Sequence, residues 1–253
     1  LAALKVPAPI FAETAMALPW KTIDRFTTED EGILELRQRG RGDFLITLGS
    51  QVLMNSRAQR SEIALGELGC RGLKNHPEPR VLVGGLGMAI TLRAVLDALP
   101  ENARVVVAEL NAKILEWCLG PLAELTGNAA GDPRVEVEIA DVAAMIRQAP
   151  GENFDAIILD LYRGPHPKTD RRNDPIYGSR AIERTRAALK PGGVFAVWGE
   201  NPDAGFEERL TAAGFAVRCE RPGKGGYRHA VWVAGKISVE KPQSRRQRRN
   251  PRS

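Results

Sequence analysis

From Arg80 onward the sequence alternates between short apolar runs and segments of helical periodicity, and this alternation restricts the fold more than any other feature. "RVLVGG" is an apolar run closed by glycines, "MAITLRAVLDALP" is helical and followed by a stop at Pro100, and "ARVVVAEL" is a second apolar run. "NAKILEWCLGPLAEL" predicts a helix broken at Gly120-Pro121, "PRVEVEIAD" a strand, "VAAMIRQA" a short helix and "FDAIILD" a buried strand. A helix is predicted from Asp174 to Leu189, stopped by "KPGG". The strand "GVFAVWGE" and the helix "DAGFEERLTAAG" follow. Two last strands, "FAVRCE" and "RHAVWVAG", are joined by a turn around Pro222–Gly226. Strands alternating with helices predict a parallel sheet covered on both faces. Right-handed crossovers then bring the carboxyl ends of the strands to one side, where ligands bind near the point at which strand order reverses.

The closing hairpin separates two variants of this architecture. A NAD-binding domain usually continues with parallel strands, whereas a class I methyltransferase fold inserts an antiparallel last strand. The sequence therefore predicts an α/β, Rossmann-like class I methyltransferase fold, a seven-stranded sheet with a terminal antiparallel hairpin. Before it, "GILELRQRGRGDFLITLGSQVLMNS" alternates apolar and polar residues on either side of the turn Gly40-Arg41-Gly42, the mark of a β-hairpin, with a further short strand at Val52–Met54. The expected division is an irregular lead-in over 1–19, a small antiparallel β unit over 20–56, the Rossmann-like domain over 57–235, and a basic tail over 236–253. Ser61 is placed as the N-cap of a helix running to about Leu73.

Charge is concentrated in that tail. Residues 236–253 carry seven Lys or Arg against Glu240, a net +6, which leaves −1 for the first 235 residues. The tail has no apolar face, so it is expected to be disordered and to make at most weak contact with nucleic acid. A nucleic-acid-binding core does not follow from the high pI. No run of 18 apolar residues predicts a membrane span, and "LAALKVPAPIFAETAMALPW", broken by prolines and Glu13, does not read as a signal peptide. Cys70, Cys118 and Cys219 are odd in number and lack metal-ligand spacing, so reduced thiols, no metal and a cytoplasmic location are expected.

Three strand ends carry chemistry. Gly85 and Gly87, in "VLVGGLGMAI", let the backbone turn tightly and approach a ligand, and the helix start beyond them offers amide donors. The third glycine of the dinucleotide fingerprint is absent, because Ile90 stands there, which argues against NAD. Glu109 ends the second strand, 22 residues after Gly87, where a carboxylate can accept hydrogen bonds from both hydroxyls of a ribose. Asp141 ends the third strand and can meet an adenine amino group, with the Val142 N–H beside it, or cap the next helix. With "LKPGGV" before the fifth strand, these positions point to S-adenosylmethionine or a close relative. Asp160 ends "FDAIILD", and Tyr162 and Arg163 follow it.

The segments "VLVGGLGMAITLRAVLD", "VVVAEL", "DPRVEVEIADV", "FDAIILD" and "ALKPGGVFAVW" together resemble the spermidine synthase-like branch of the class I methyltransferase superfamily, over about residues 20–235. The resemblance implies S-adenosylmethionine or decarboxylated S-adenosylmethionine as the bound nucleoside and a small-molecule acceptor. It allows a homodimer and gives no reason to expect a membrane partner. It also implies Asp160 and Tyr162 as catalytic residues, with Gly85, Leu86, Gly87, Met88, Glu109, Leu110, Asp141, Val142 and Asp160 around the nucleoside. The sequence departs from the family pattern in three places. Met88 replaces the Asp that holds the donor's amine. Arg163 falls roughly where a second acid follows Asp160, and "SEIALGEL" lacks a Tyr-His pair. An Arg there, with Lys168, Arg171 and Arg172 nearby, would repel a polyamine. The expectation is therefore methyl transfer to a small neutral or anionic acceptor. Aminopropyl transfer and a non-catalytic, nucleoside-binding scaffold are the alternatives.

Overall fold

The computed structural model describes residues 18–28, 32–167, 172–225 and 228–237 of the 253-residue chain. They fall into two compact units that divide after Arg57. The basic tail lies outside the described residues beyond Ile237, as does the lead-in up to residue 17. Lys236, expected to open the tail, instead closes the last strand.

The first unit is a four-stranded antiparallel sheet in chain order: β1 (Lys21–Thr27), β2 (Ile33–Arg39), β3 (Asp43–Leu48) and β4 (Gln51–Asn55). The hairpin predicted around Gly40 is β2–β3, with Leu36 opposite Ile46. β3 buries Phe44, Leu45 and Ile46 in succession. β1 was not expected.

The second unit begins with α1 (Arg60–Gly69) and alternates from there. Its strands are β5 (Arg80–Gly84), β6 (Arg104–Glu109), β7 (Val135–Ile139), β8 (Phe154–Leu159), β9 (Leu189–Gly199), β10 (Phe215–Glu220) and β11 (Ala230–Lys236). Between them lie α2 (Ile90–Ala98), α3 (Ala112–Leu119), α4 (Val142–Gln148), α5 (Ser179–Ala188) and α6 (Ala204–Ala212). The strands form one seven-stranded sheet in the order β10-β11-β9-β8-β5-β6-β7. β5 to β9 pair in parallel, and β11 is antiparallel to both of its neighbours, so the Rossmann-like fold with a terminal hairpin is the fold observed.

Apolar continuity explains the centre of the sheet. Val81, Leu82 and Val83 of β5 and Ala156, Ile157 and Ile158 of β8 are fully buried, as strands covered on both faces must be. On one face Phe206 of α6 meets Trp232 of β11 edge to face, with ring centroids 5.2 Å apart, and the Trp232 indole N–H donates to Glu207 Oε1 at 3.0 Å. At the amino ends of the central strands, the buried Asp155 carboxylate draws three of them together. Its Oδ2 accepts from the Arg80 N–H at 2.7 Å and from Lys190 Nζ at 2.7 Å, and Oδ1 lies 3.4 Å from His76 Nε2.

The chain runs from β5 outward through β6 and β7, then returns to the other flank of β5 as β8. In sheets of this kind, ligands bind outside the carboxyl ends of the strands at such a reversal, here the ends of β5 and β8. Three local expectations are corrected. The N-cap of α1 is Gln59, and Ser61 instead donates to Glu62 Oε2 at 2.6 Å. α5 starts at Ser179 because Asp174 Oδ1 accepts the N–H groups of Ile176 and Tyr177, holding a turn where the helix was predicted. "LKPGG" belongs to β9 and does not lie before it.

Candidate active site

β8 is buried along its whole length, so its last turn toward solvent falls on Asp160. The Asp160 N–H donates to the Gly84 carbonyl at 2.9 Å, which holds the residue against the glycine loop that follows β5. The approach is so close that a Cβ at Gly85, where φ is +89°, would lie 2.3 Å from the Asp160 carbonyl oxygen. The residue is half-buried, at the carboxyl end of the sheet. Its Oδ2 accepts a hydrogen bond from Thr91 Oγ1 at 2.5 Å. Burial above all, and then the charge of Glu62, push the Asp160 carboxyl up to about 7, against the opposing pull of the Thr91 hydrogen bond.

Glu109, at the end of β6, is engaged with the same loop. Its Oε2 accepts the Leu86 N–H and its Oε1 the Asn111 N–H, both at 2.9 Å. Burial raises its pKa, and hydrogen bonds from backbone amides of residues 86, 87, 110 and 111 oppose the shift. Cys118 on α3 sits under the loop, Sγ donating to the Gly87 carbonyl at 3.3 Å, and burial pushes its thiol up to about 12.

The remaining sequence-derived positions divide by exposure. Asp141 is exposed and caps α4, its Oδ1 accepting the Ala143 N–H at 2.9 Å. Leu110 is 74% exposed beside Glu109, an apolar surface at the open end of the sheet. Leu86, Met88 and Val142 are buried, and Met88 completely, so the Met88 side chain presents no surface to a ligand. Tyr162 is half-buried. Arg163 is exposed, with its guanidinium 5.0 Å from the Tyr162 ring centroid, a cation lying on an aromatic face in contact with solvent. The Arg163 carbonyl accepts from the buried Tyr177 hydroxyl at 2.9 Å, which anchors the loop after β8. Lys168 and Arg171 lie outside the described residues.

Sequence reasoning missed Thr91 and Glu62, the groups that act on Asp160, and an aromatic pair whose imidazole senses Glu62. Thr91 enters from α2 and Glu62 from α1. Trp198 at the end of β9 stacks near His229, ring centroids 4.8 Å apart. Burial lowers the pKa of that imidazole, while Glu62 and Glu200 pull it upward. The one available signal was Thr91, a hydroxyl in the first turn of an otherwise apolar helix after a glycine loop.

Residues 68–208, more than half of the chain, match the model of the spermine/spermidine synthase domain. The chain belongs to the spermine/spermidine synthase family. A polyamine aminopropyltransferase of Prochlorococcus marinus is 29% identical over 49% of this chain and 42% of its own length. A putrescine N-methyltransferase of Nicotiana attenuata is 30% identical over 49% of this chain and 32% of its own length. The chain thus spans less than half the length of these curated relatives. The crystal structure of spermidine synthase from Thermotoga maritima superposes with a TM-score of 0.65, covering 85% of this chain and 72% of that one at 20% identity, a likeness of fold.

These findings correct the expectation of methyl transfer to a neutral or anionic acceptor. The matching domain is that of the spermine/spermidine synthases, and the polyamine aminopropyltransferase matches favour the alternative. The electrostatic argument behind the expectation also weakens, because Arg163 is exposed and lies on Tyr162.

Proposed function

We propose that this member of the family transfers the aminopropyl group of decarboxylated S-adenosylmethionine to an amine of a diamine or longer polyamine. The observation that carries the reading is the placement of Asp160. It is a carboxyl at the reversal point of the sheet, with a pKa pushed up to about 7. An amine is protonated at neutral pH and attacks only after losing a proton. A carboxylate with a pKa near the working pH takes that proton efficiently. The amine nitrogen then bonds to the carbon next to the sulfonium, the carbon–sulfur bond breaks, and neutral methylthioadenosine leaves. The proton from nitrogen rests on Asp160. Glu109 would meet the ribose hydroxyls, which then share its oxygens with the loop amides, and Asp141 the adenine amino group. Asp160, Glu62 and Glu200 supply negative charge suited to a cationic acceptor.

The test is product analysis with putrescine and either donor. Decarboxylated S-adenosylmethionine should yield spermidine and methylthioadenosine, with activity rising as pH increases through about 7. Asp160→Asn should lower turnover by about 10²–10⁴-fold, the range for loss of a general base. Methylated putrescine formed from S-adenosylmethionine, with no aminopropyl product, would refute the proposal.

A further inference from the structure

Thr91 is 3% exposed, yet its hydroxyl stands between two acceptors. Oγ1 lies 2.5 Å from Asp160 Oδ2 and 3.3 Å from the backbone carbonyl oxygen of Glu62. The second distance depends on how tightly α1 lies on α2. A Cβ at Gly66 would meet the Ala94 Cβ at 2.7 Å and the Thr91 carbonyl oxygen at 2.9 Å, so the helices approach this closely only with glycine there.

A hydroxyl has one proton and two lone pairs. It donates to one neighbour at a time and can accept from another. With Asp160 ionised, the Thr91 proton points to Oδ2. With Asp160 protonated, the carboxyl O–H is the donor, Thr91 Oγ1 accepts, and the Thr91 proton turns to the Glu62 carbonyl. Each proton is engaged in both states, and only the hydroxyl rotates.

We infer that Thr91 is a positioning residue that acts through Asp160, its hydroxyl reversing direction so that the carboxyl takes up and releases a proton without moving. The inference rests on the proposed role of Asp160 as proton acceptor for the attacking amine. Other titratable groups act on the pair: Glu62 from α1 and the buried Tyr177 from the segment before α5, which senses the Asp160 charge; His229 before β11 in turn senses Glu62. Their charges set the background against which Thr91 acts, and none of them is altered in the test.

The experiment titrates the Asp160 carboxyl by ¹³C NMR in Asp-labelled full-length protein, with Asp160→Asn to assign the signal. Thr91→Val keeps the shape and removes the hydroxyl, and Thr91→Ser keeps the hydroxyl. In Thr91→Val the midpoint should rise by about one pH unit, a tenfold change in proton affinity of the size expected for one hydrogen bond to a charged group. The acidic limb of the activity profile should move with it. Thr91→Ser should titrate like the wild type. An unchanged midpoint in Thr91→Val overturns the inference, as does an equal shift in both variants, which would assign the effect to packing. If Thr91→Val fails to fold by thermal melting, Thr91→Ala removes the same hydroxyl without adding a branch. A shift confined to the variant lacking the hydroxyl, in a protein that makes no spermidine, upholds the role of Thr91 and refutes only the aminopropyl reading.

Discussion

A methyl group at position 85 would sit 2.3 Å from the Asp160 carbonyl oxygen and 3.1 Å from its carbonyl carbon. Both are backbone atoms, which cannot swing aside as the end of a flexible side chain can. Gly85→Ala therefore carries two costs. Holding an L-residue at φ +89° costs about 1–2 kcal/mol, and overpacking against fixed atoms about 1–3 kcal/mol more. The sum is about 2–5 kcal/mol of stability. The functional loss should be larger in proportion, because relief of the overlap pushes Asp160 off the Gly84 carbonyl, and a displacement of about 1 Å at a reacting group costs about 10²-fold in rate. Gly127→Ala is the control: its φ is +58°, but nothing lies within 4 Å of the added Cβ, so it bears only the first cost. Urea denaturation gives the stability difference between the two variants, and spermidine formation the rate. If Gly85→Ala matches Gly127→Ala in both, the close approach of loop and Asp160 is not what the position requires, and the reasoning fails.

Three further outcomes are expected. Asp160→Asn should stabilise the fold at pH 8. A carboxyl raised from about 4 to about 7 on folding loses stability as pH climbs between those values, by at most about 4 kcal/mol; a urea midpoint no higher than wild type would contradict this. Asp132 is held well below the usual carboxylate range, at about 2, chiefly by its hydrogen bond to Arg134, which also donates to the Leu96 carbonyl. The contribution of this pair should be complete above about pH 4 and vanish as pH falls through about 2. Asp132→Asn should then cost about 1 kcal/mol at pH 6 and little by about pH 1, in paired denaturation curves. Ala89, at φ 60° in the glycine loop, occupies a conformation that glycine adopts without strain, so Ala89→Gly should leave stability unchanged or raise it by up to about 1 kcal/mol in thermal melts.

The parts of the fold visible in the sequence are those where one physical signal dominates. β5, β6 and β8 are apolar because both sheet faces are covered, and the switch to helical periodicity after each marks the crossover. β1 carried no such signal. Lys21–Thr27 is exposed at six of its seven positions, so neither face imposes alternation, and pairing to β2 alone makes it a strand. The start of α5 was misplaced because the Asp174 carboxylate competes for backbone amides, a local choice that periodicity does not record. At the candidate site, Gly85, Glu109, Asp141 and Asp160 were legible because strand ends are predictable from the strands themselves. Glu62, Thr91, Trp198 and His229 were not, because each comes from a different element and only the packing of α1, α2, β9 and the last hairpin gathers them. Met88 differs from these. Its place in the glycine loop suggested a ligand contact, and its apolar side chain went inward.

The Asp155 clasp lies at the edge of the sheet opposite the candidate site. By holding the first backbone amide of β5 and a lysine near the start of β9 from a carboxylate on β8, it sets the lateral alignment of three neighbouring strands where no chemistry is proposed. The far loops are thereby relieved of that duty. A substitution in those loops should leave the strand alignment intact, while one at Asp155 should not. One end of the sheet thus holds the strands in step, while the other is left free to present side chains.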